Sequence, residues 1–432
     1  MLGVLQHRTF RHLYFAQIVA LIGTGLATVA LGLLAFELAG DRAGTVLGTA
    51  LAIKMVAYVS IAPIAAALLA GLPRRPVLVS LDIIRAGVAI MLPFVSEVWH
   101  VYVLIFVLQS ASAAFTPTFQ ATIPDILPDE IEYTRALSLS RVAYDLESVI
   151  SPMLAAGLLL VMSFNVLFAG TVLGFLLSAA LVLTVTLPSA QPVENASLRE
   201  RTFRGINIFL KTPRLRGLLA VDLAVAMAGA VVIVNTVVYV QGEFDLSQRA
   251  TALALGVFGA GSLTAALTLP TLLDRIPDRI PMLAGAVLVA IATIAVSRVT
   301  SYEGLLVLWL IIGFGYSIAQ TPSGRLLRRS SNEDNRPAVF AAHFALSHLC
   351  WLLAYPVAGW SVQALGLSGT AAMMGSVGFI AAAAGFKVWP TNDPVEIAHA
   401  HPELGDDHPH KRGEREHSHA YTIDDLHRSW PR

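Results

Sequence analysis

Two acids stand out for their chemistry. Asp145 and Glu147 lie in the stretch RVAYDLESVISPMLAAG, Arg141 to Gly157, which otherwise has the composition of a membrane-spanning helix. With Asp145 at zero and 100° per residue, Arg141, Tyr144, Asp145, Glu147, Ser148, Ser151 and Pro152 fall within one arc of roughly 160°. Val142, Ala143, Leu146, Val149, Ile150, Met153 and Leu154 fill the opposite side. A charge at mid-bilayer costs at least ~2.5–3.5 kcal/mol, so such acids face water-filled or ion-binding cavities rather than lipid. Arg141 and Asp145, four apart, read as a salt bridge, which leaves Glu147 as the less compensated acid.

Other spans carry ionisable groups too. Lys54 can pair with Glu37 or Asp41, or supply the cation that steadies an empty acid site. Asp222 lies in a later span. His343, Ser347 and Cys350 form one stripe, with His348 beside it. His343 and Cys350 are about 10 Å apart along a helix. Metal–ligand bonds are only ~2.1–2.3 Å, so these two read as successive stations rather than ligands of one ion. Asp82 and Arg85, at i and i+3, read as a structural pair.

The elements that position these groups are apolar runs. The chain of 432 residues is 56% hydrophobic and 13% charged, with zero formal net charge. Soluble domains carry about 25% charged residues, so this is a polytopic membrane protein. Runs of mostly 18–25 residues, enough to cross ~30 Å of hydrocarbon, fall near 13–38, 46–69, 77–95, 101–123, 142–162, 166–187, 218–240, 251–273, 282–297, 305–323, 338–364 and 367–388. The expected fold is an all-α membrane protein of twelve transmembrane helices in two six-helix repeats. Its units are 1–188, a linker 189–217 with six Lys/Arg, 218–390, and a tail 391–432. The side bearing the termini gathers 18 Lys/Arg before the tail, against Arg42, Arg249 and Arg298 on the other, so both termini are expected in the cytoplasm. No cleavable leader is visible. The single cysteine, Cys350, excludes an internal disulfide.

The halves repeat at a shift of 204–205 residues. Leu72–Leu78 (LPRRPVL) falls on Ile276–Leu283 (IPDRIPML), Thr116-Pro117-Thr118 on Thr321-Pro322-Ser323, Ser151-Pro152 on Tyr355-Pro356, and Gln17 on Asp222. Parallel repeats mark transporters whose halves rock about a central site. Over residues 1–390 the chain resembles the major facilitator superfamily. That resemblance implies gating loops after spans two and eight. Asp274, Arg275, Asp278 and Arg279 keep the acid-and-arginine signature in the second half. In the first, Arg74 and Arg75 survive while Ala70 replaces the usual acid.

The tail is polar and expected to be largely disordered. It holds seven of the twelve histidines, six of them in His-x-His pairs: His399/His401, His408/His410 and His417/His419, every nine residues. Flexible His-rich tracts suit Ni, Co, Cu and Zn. Ile423, Leu426 and Trp430 fall at helical spacing, suited to docking on the cytoplasmic face. Together these features resemble the His-tailed nickel and cobalt resistance exporters, whose core is similar to drug:proton antiporters.

No phosphate-binding loop, nucleophile–base set or zinc-protease motif is present, which points away from an enzyme and toward an ion gradient as energy source. The expected function is proton-driven efflux of Ni²⁺ or Co²⁺ across a bacterial inner membrane, with Glu147 and either Asp145 or Asp222 titrating. A proton-coupled exporter of organic drugs and a transporter-like metal sensor without flux stay open. The expected partners are lipids, metal ions and protons, without nucleic acid or resident cofactor, in a monomer.

Overall fold

In hydrocarbon every backbone N–H and C=O must be satisfied within the chain, so the apolar runs must be helices. The computed structural model describes residues 2–69, 72–187, 198–273, 276–332, 335–394, 396–400, 416–423, 426–427 and 430. One group of helices comprises α1 (Arg8–Ala39), α2 (Ala43–Leu69), α3 (Arg74–Met91), α4 (Val98–Ile126), α5 (Glu130–Leu159) and α6 (Asn165–Leu183). An amphipathic helix, α7 (Leu198–Lys211), precedes α8 (Pro213–Val237), α9 (Gln248–Leu273), α10 (Arg279–Val296) and α11 (Tyr302–Gln320). Short α12 (Ser323–Arg329) then leads to α13 (Arg336–Val388).

Two glycines set the span count. Gly40 (φ 51°) turns α1 into α2, and Gly366 (φ 67°) breaks α13 into two limbs, conformations that glycine adopts without a Cβ penalty. Among the described residues nine continuous stretches are apolar and long enough to cross a membrane. The first, Arg8–Ile61, holds α1 and α2, and the last, Ala338–Val388, holds both limbs of α13. With α5, whose 30 residues reach about 45 Å, the arrangement agrees with two sets of six spans.

Within the first set α1 packs on α5 and α6, α2 on α4, and α3 on α4 and α6. Within the second, α8 packs on α13 and α10, and α9 on α11. The sets meet through α2 with α13 and α5 with α9. Both seams close at the end away from the termini. There Gly48 and Gly359 allow the α2 and α13 backbones to touch: a Cβ at Gly48 would lie 2.6 Å from the Tyr355 carbonyl oxygen, and one at Gly359 would overlap that of Gly44. Trp360 and Gln363 donate to Thr49 and Thr45 at 3.0 Å, and Arg249 on α9 donates to the Leu159 carbonyl at 3.2 Å.

Asp82 and Arg85 form the expected intrahelical ion pair, buried, with Arg85 lying 4.2 Å from the Phe115 ring centroid and 4.5 Å from that of Phe175. The described part of the tail departs from expectation where strands β1 (Glu396–Ala400) and β2 (Glu416–Ala420) pair antiparallel. The segment after them docks, in keeping with the spacing of Ile423 and Trp430. Tyr421 and Ile423 join the apolar core of the second set. Arg214, 1% exposed, donates to the Tyr421 carbonyl at 2.9 Å, bonds Asp393 at 3.3 Å and lies 4.7 Å from the Trp430 ring. The described residues of this segment are not helical, and Leu426 stays exposed. A buried arginine needing acceptors, rather than an amphipathic face, organises it.

Candidate functional site

The first centre is built around a missing side chain. Gly25 on α1 lets α5 approach so closely that a Cβ there would collide with Ser151 and lie 2.9 Å from Glu147 Oε1. Glu147 and Ser151 are thus seated against α1. Glu147 is 17 residues into α5, about 25 Å along it and well inside the bundle. Lys54 on α2 is the charge that acts on Glu147, and Glu147 acts on it. Of the two readings of Lys54, this favours the cation that steadies an acid site over a pairing with Glu37 or Asp41. Those acids lie at the far end of α1 and its turn, whereas Lys54 is about 16 Å down α2.

The opposite set faces this pair with aromatic groups. Tyr355 on α13 feels both Glu147 and Tyr316 of α11. His348 stacks on Tyr58 of α2 with centroids 5.6 Å apart, Phe344 lies 6.3 Å from Tyr58, and Trp351 lies 5.0 Å from Tyr355. His348 Nδ1 lies 2.7 Å from the Phe344 carbonyl oxygen. A carboxylate and an ammonium from one half therefore meet phenols and aromatic faces from the other. Such a surface exchanges protons at the acid and holds planar or cationic organic groups against its rings.

The second centre lies nearer the termini. Asp222 on α8 is 2% exposed and His343 on α13 8%. His343 Nε2 lies 3.1 Å from Asp222 Oδ2, and Gln320 Nε2 of α11 donates to Oδ1 at 3.0 Å. Phe209 of α7 stacks on the imidazole at 6.1 Å. Cys350 feels the Asp222 charge. His343 and His348 therefore serve different neighbours. Gln17, the repeat counterpart of Asp222, is buried without a hydrogen-bond partner. Among the described residues no three of His, Cys, Asp and Glu converge as metal ligands.

At the loops, Arg75 donates to the Leu183 carbonyl and Arg74 is buried. Asp278 receives Arg325, with Nε at 2.8 Å, and Arg279 donates to the Trp389 and Phe386 carbonyls at 3.0 and 3.1 Å. These contacts stay inside their own halves. Asp274, Arg275, His401, His408 and His410 lie outside the described residues, as do the side chains of Arg141, Asp145, His399, His417 and His419. Sequence reasoning missed Gly25, Tyr58, Phe209, Gln320 and Tyr316. Gly25 left a trace only as a small residue amid bulky ones, and the others none.

Two sets of membrane helices, joined by a linker helix and facing each other across an acid-bearing seam, define a secondary transporter. The Major Facilitator Superfamily profile matches residues 13–269 and 223–411. The chain belongs to that superfamily. It is 26% identical over 184 residues to macrolide efflux protein A of Streptococcus pyogenes, an alignment covering 41% of this chain and 45% of that one. It is 28% identical over 120 residues to macrolide efflux protein A of Enterococcus faecalis, covering 27% and 37%. The chain thus spans less than half the length of the curated relatives it matches. Among solved structures it is similar to nucleoside transporter NupG (14% identity, TM-score 0.66, covering 89% of this chain and 100% of that one). A bacterial homologue of the human lysosomal transporter Spinster, inward-facing and unoccupied, gives 14% identity, TM-score 0.65, 89% and 99%. At these identities the structural likeness shows the fold.

Proposed function

We propose that the chain exports small organic molecules in exchange for protons across a bacterial cytoplasmic membrane, with both termini inside. The observation that carries this reading is the Glu147–Lys54 pair at mid-depth, with Tyr58 one turn from Lys54 on α2 and stacked on His348, and Tyr355 acting on Glu147 from the other half. A proton arriving from outside neutralises Glu147 and ends its attraction for Lys54. A substrate entering from inside meets the ionised pair and the rings. Proton and substrate thus compete for one cavity, which is what obligate exchange requires. The stretches similar to macrolide efflux proteins support an organic substrate over a metal, and the Lys/Arg asymmetry supports the orientation.

A second reading, export of Ni²⁺ or Co²⁺, draws on the hairpin, whose register sets the Cα of His399 opposite that of His417. In that reading the tail collects metal at the cytoplasmic mouth. Energised inverted vesicles carrying the full chain separate the two. Accumulation of erythromycin or ethidium, with nickel and cobalt content unchanged, supports the organic exporter. Accumulation of metal alone overturns it, and metal bound without flux favours a sensor.

A further inference from the structure

We propose that Asp222 and His343 form a second proton-binding site, inside the C-terminal set of helices and covered by the linker helix. The proposal rests on the proton-coupled export reading and assigns that reading a second titrating unit.

Three helices and the linker build the site. Asp222 comes from α8, His343 from α13 and Gln320 from α11, and Phe209 of α7 closes it by stacking on the imidazole. The linker is held there tightly: a Cβ at Gly205 would overlap the Ala338 carbonyl oxygen of α13. Both acceptor oxygens of Asp222 are engaged, one by an amide that cannot titrate and one by an imidazole that can. An imidazole is the side chain whose charge changes near neutral pH. With one proton bound the pair is an imidazolium facing a carboxylate and carries no net charge. Without it, a single negative charge is left in a buried place.

Among the described residues, several charged groups on the surrounding helices have partners of their own. On α8, Arg214 holds Asp393 and the Tyr421 carbonyl. On α10, Arg279 holds the Trp389 and Phe386 carbonyls. Next to α11, α12 commits Arg325 to Asp278 and Arg329 to Asp393. On α7, Arg204 and Lys211 are exposed. Tyr316 of α11 acts on Tyr355, Lys54 of α2 acts on Glu147, and Arg336 lies at the first turn of α13. Cys350, also on α13, is the further titratable group in the field of Asp222. The site is also placed to matter for movement. The α13 limb that carries His343 forms the closed seam with α2 through Gly359, and α7 joins the two halves. Taking up or losing a proton therefore changes the charge at the foot of a helix that spans the moving interface.

The test uses the full-length protein and two independent readouts. In detergent, acid–base titration of wild type against the double variant Asp222→Asn/His343→Gln should show about two protons fewer bound by the variant between acid and alkaline pH, one for each titratable group removed. In proteoliposomes with ethidium as probe, Asp222→Asn and His343→Gln should each cut pH-driven flux more than about tenfold, the loss expected of a coupling group. Exchange without a gradient should fall less than about threefold. The swapped pair Asp222→His/His343→Asp should regain at least about a third of driven flux, which guards against simple unfolding. Identical proton titration, or driven flux at the wild-type level in both single variants, overturns the proposal. So does equal loss of both fluxes without recovery in the swapped pair, which makes the pair structural. If wild type itself shows no pH-driven flux, the export reading fails, and the titration in detergent still decides the site.

Discussion

Replacing Gly359 by valine should shift the balance between the two orientations of the halves. In this structure the α2–α13 seam has no room for a side chain at that point. A Cβ on Gly359 overlaps the Gly44 carbonyl oxygen and lies 3.3 Å from the Gly48 Cα. Backbone atoms cannot swing away as a lysine tip can, so the helices must part. Forcing extra methyl groups into such a packed contact costs about 1–3 kcal/mol. The penalty exists only while this seam is closed, because rocking the halves separates α2 from α13 at the same end. It therefore falls on one state and shifts the populations by about 5- to 150-fold. The assay is cross-linking between cysteines placed at Thr45 and Gln363, which hydrogen-bond across the seam at 3.0 Å, in a Cys350→Ser background. Cross-linking should slow at least fivefold in Gly359→Val, while a cysteine pair between the halves at the termini-bearing end should react faster. Unchanged rates at both ends would show that the seam opens independently of this contact.

Lys54→Met alone should destabilise the protein, because it leaves the half-buried Glu147 without its counter-charge. Thermal unfolding of Lys54→Met/Glu147→Gln should recover most of that loss, while driven transport stays absent. Removing Arg85 from its place between Phe115 and Phe175 strands Asp82 in the same way, so Arg85→Met should lower the melting temperature and Asp82→Asn in that background should raise it again. Trp430→Ala removes the ring over Arg214, a desolvated cation–π contact of about 2 kcal/mol, and should show as faster proteolysis of the tail.

Much of this architecture is legible in the sequence because lipid imposes a strict rule. A run of 18–25 apolar residues has one structural answer, and the repeat of LPRRPVL with IPDRIPML ties the halves together. Glu147 was legible for the same reason: on a helical wheel it stands with Ser151 against an apolar back. The partners were not legible. Asp222 and His343 are 121 residues apart on different helices, and nothing in local spacing says which of several buried polar groups will meet. Lys54 had two readings, a partner in the α1–α2 turn or a cation beside an acid site, and only its depth along the helix favours the second. In the described part of the tail the docked end was hinted at by the spacing of Ile423 and Trp430, whereas the hairpin was not legible, because His, Glu and Ala favour neither strand nor core. The order of the docked end comes from elsewhere in the chain, from Arg214 and Asn335, which hydrogen-bond the Tyr421 and Ile423 carbonyls at 2.9 and 3.1 Å.

The central claim is that protons and an organic substrate exchange through Glu147. Proteoliposomes with an acid lumen, holding the protein with its termini outward, test it in one recording of lumenal pH and ethidium. Wild type should draw ethidium inward while lumenal pH rises, and Glu147→Gln, folded and at equal density, should do neither. Ethidium uptake at the wild-type rate in Glu147→Gln, or uptake by wild type without any lumenal pH rise, would contradict the account.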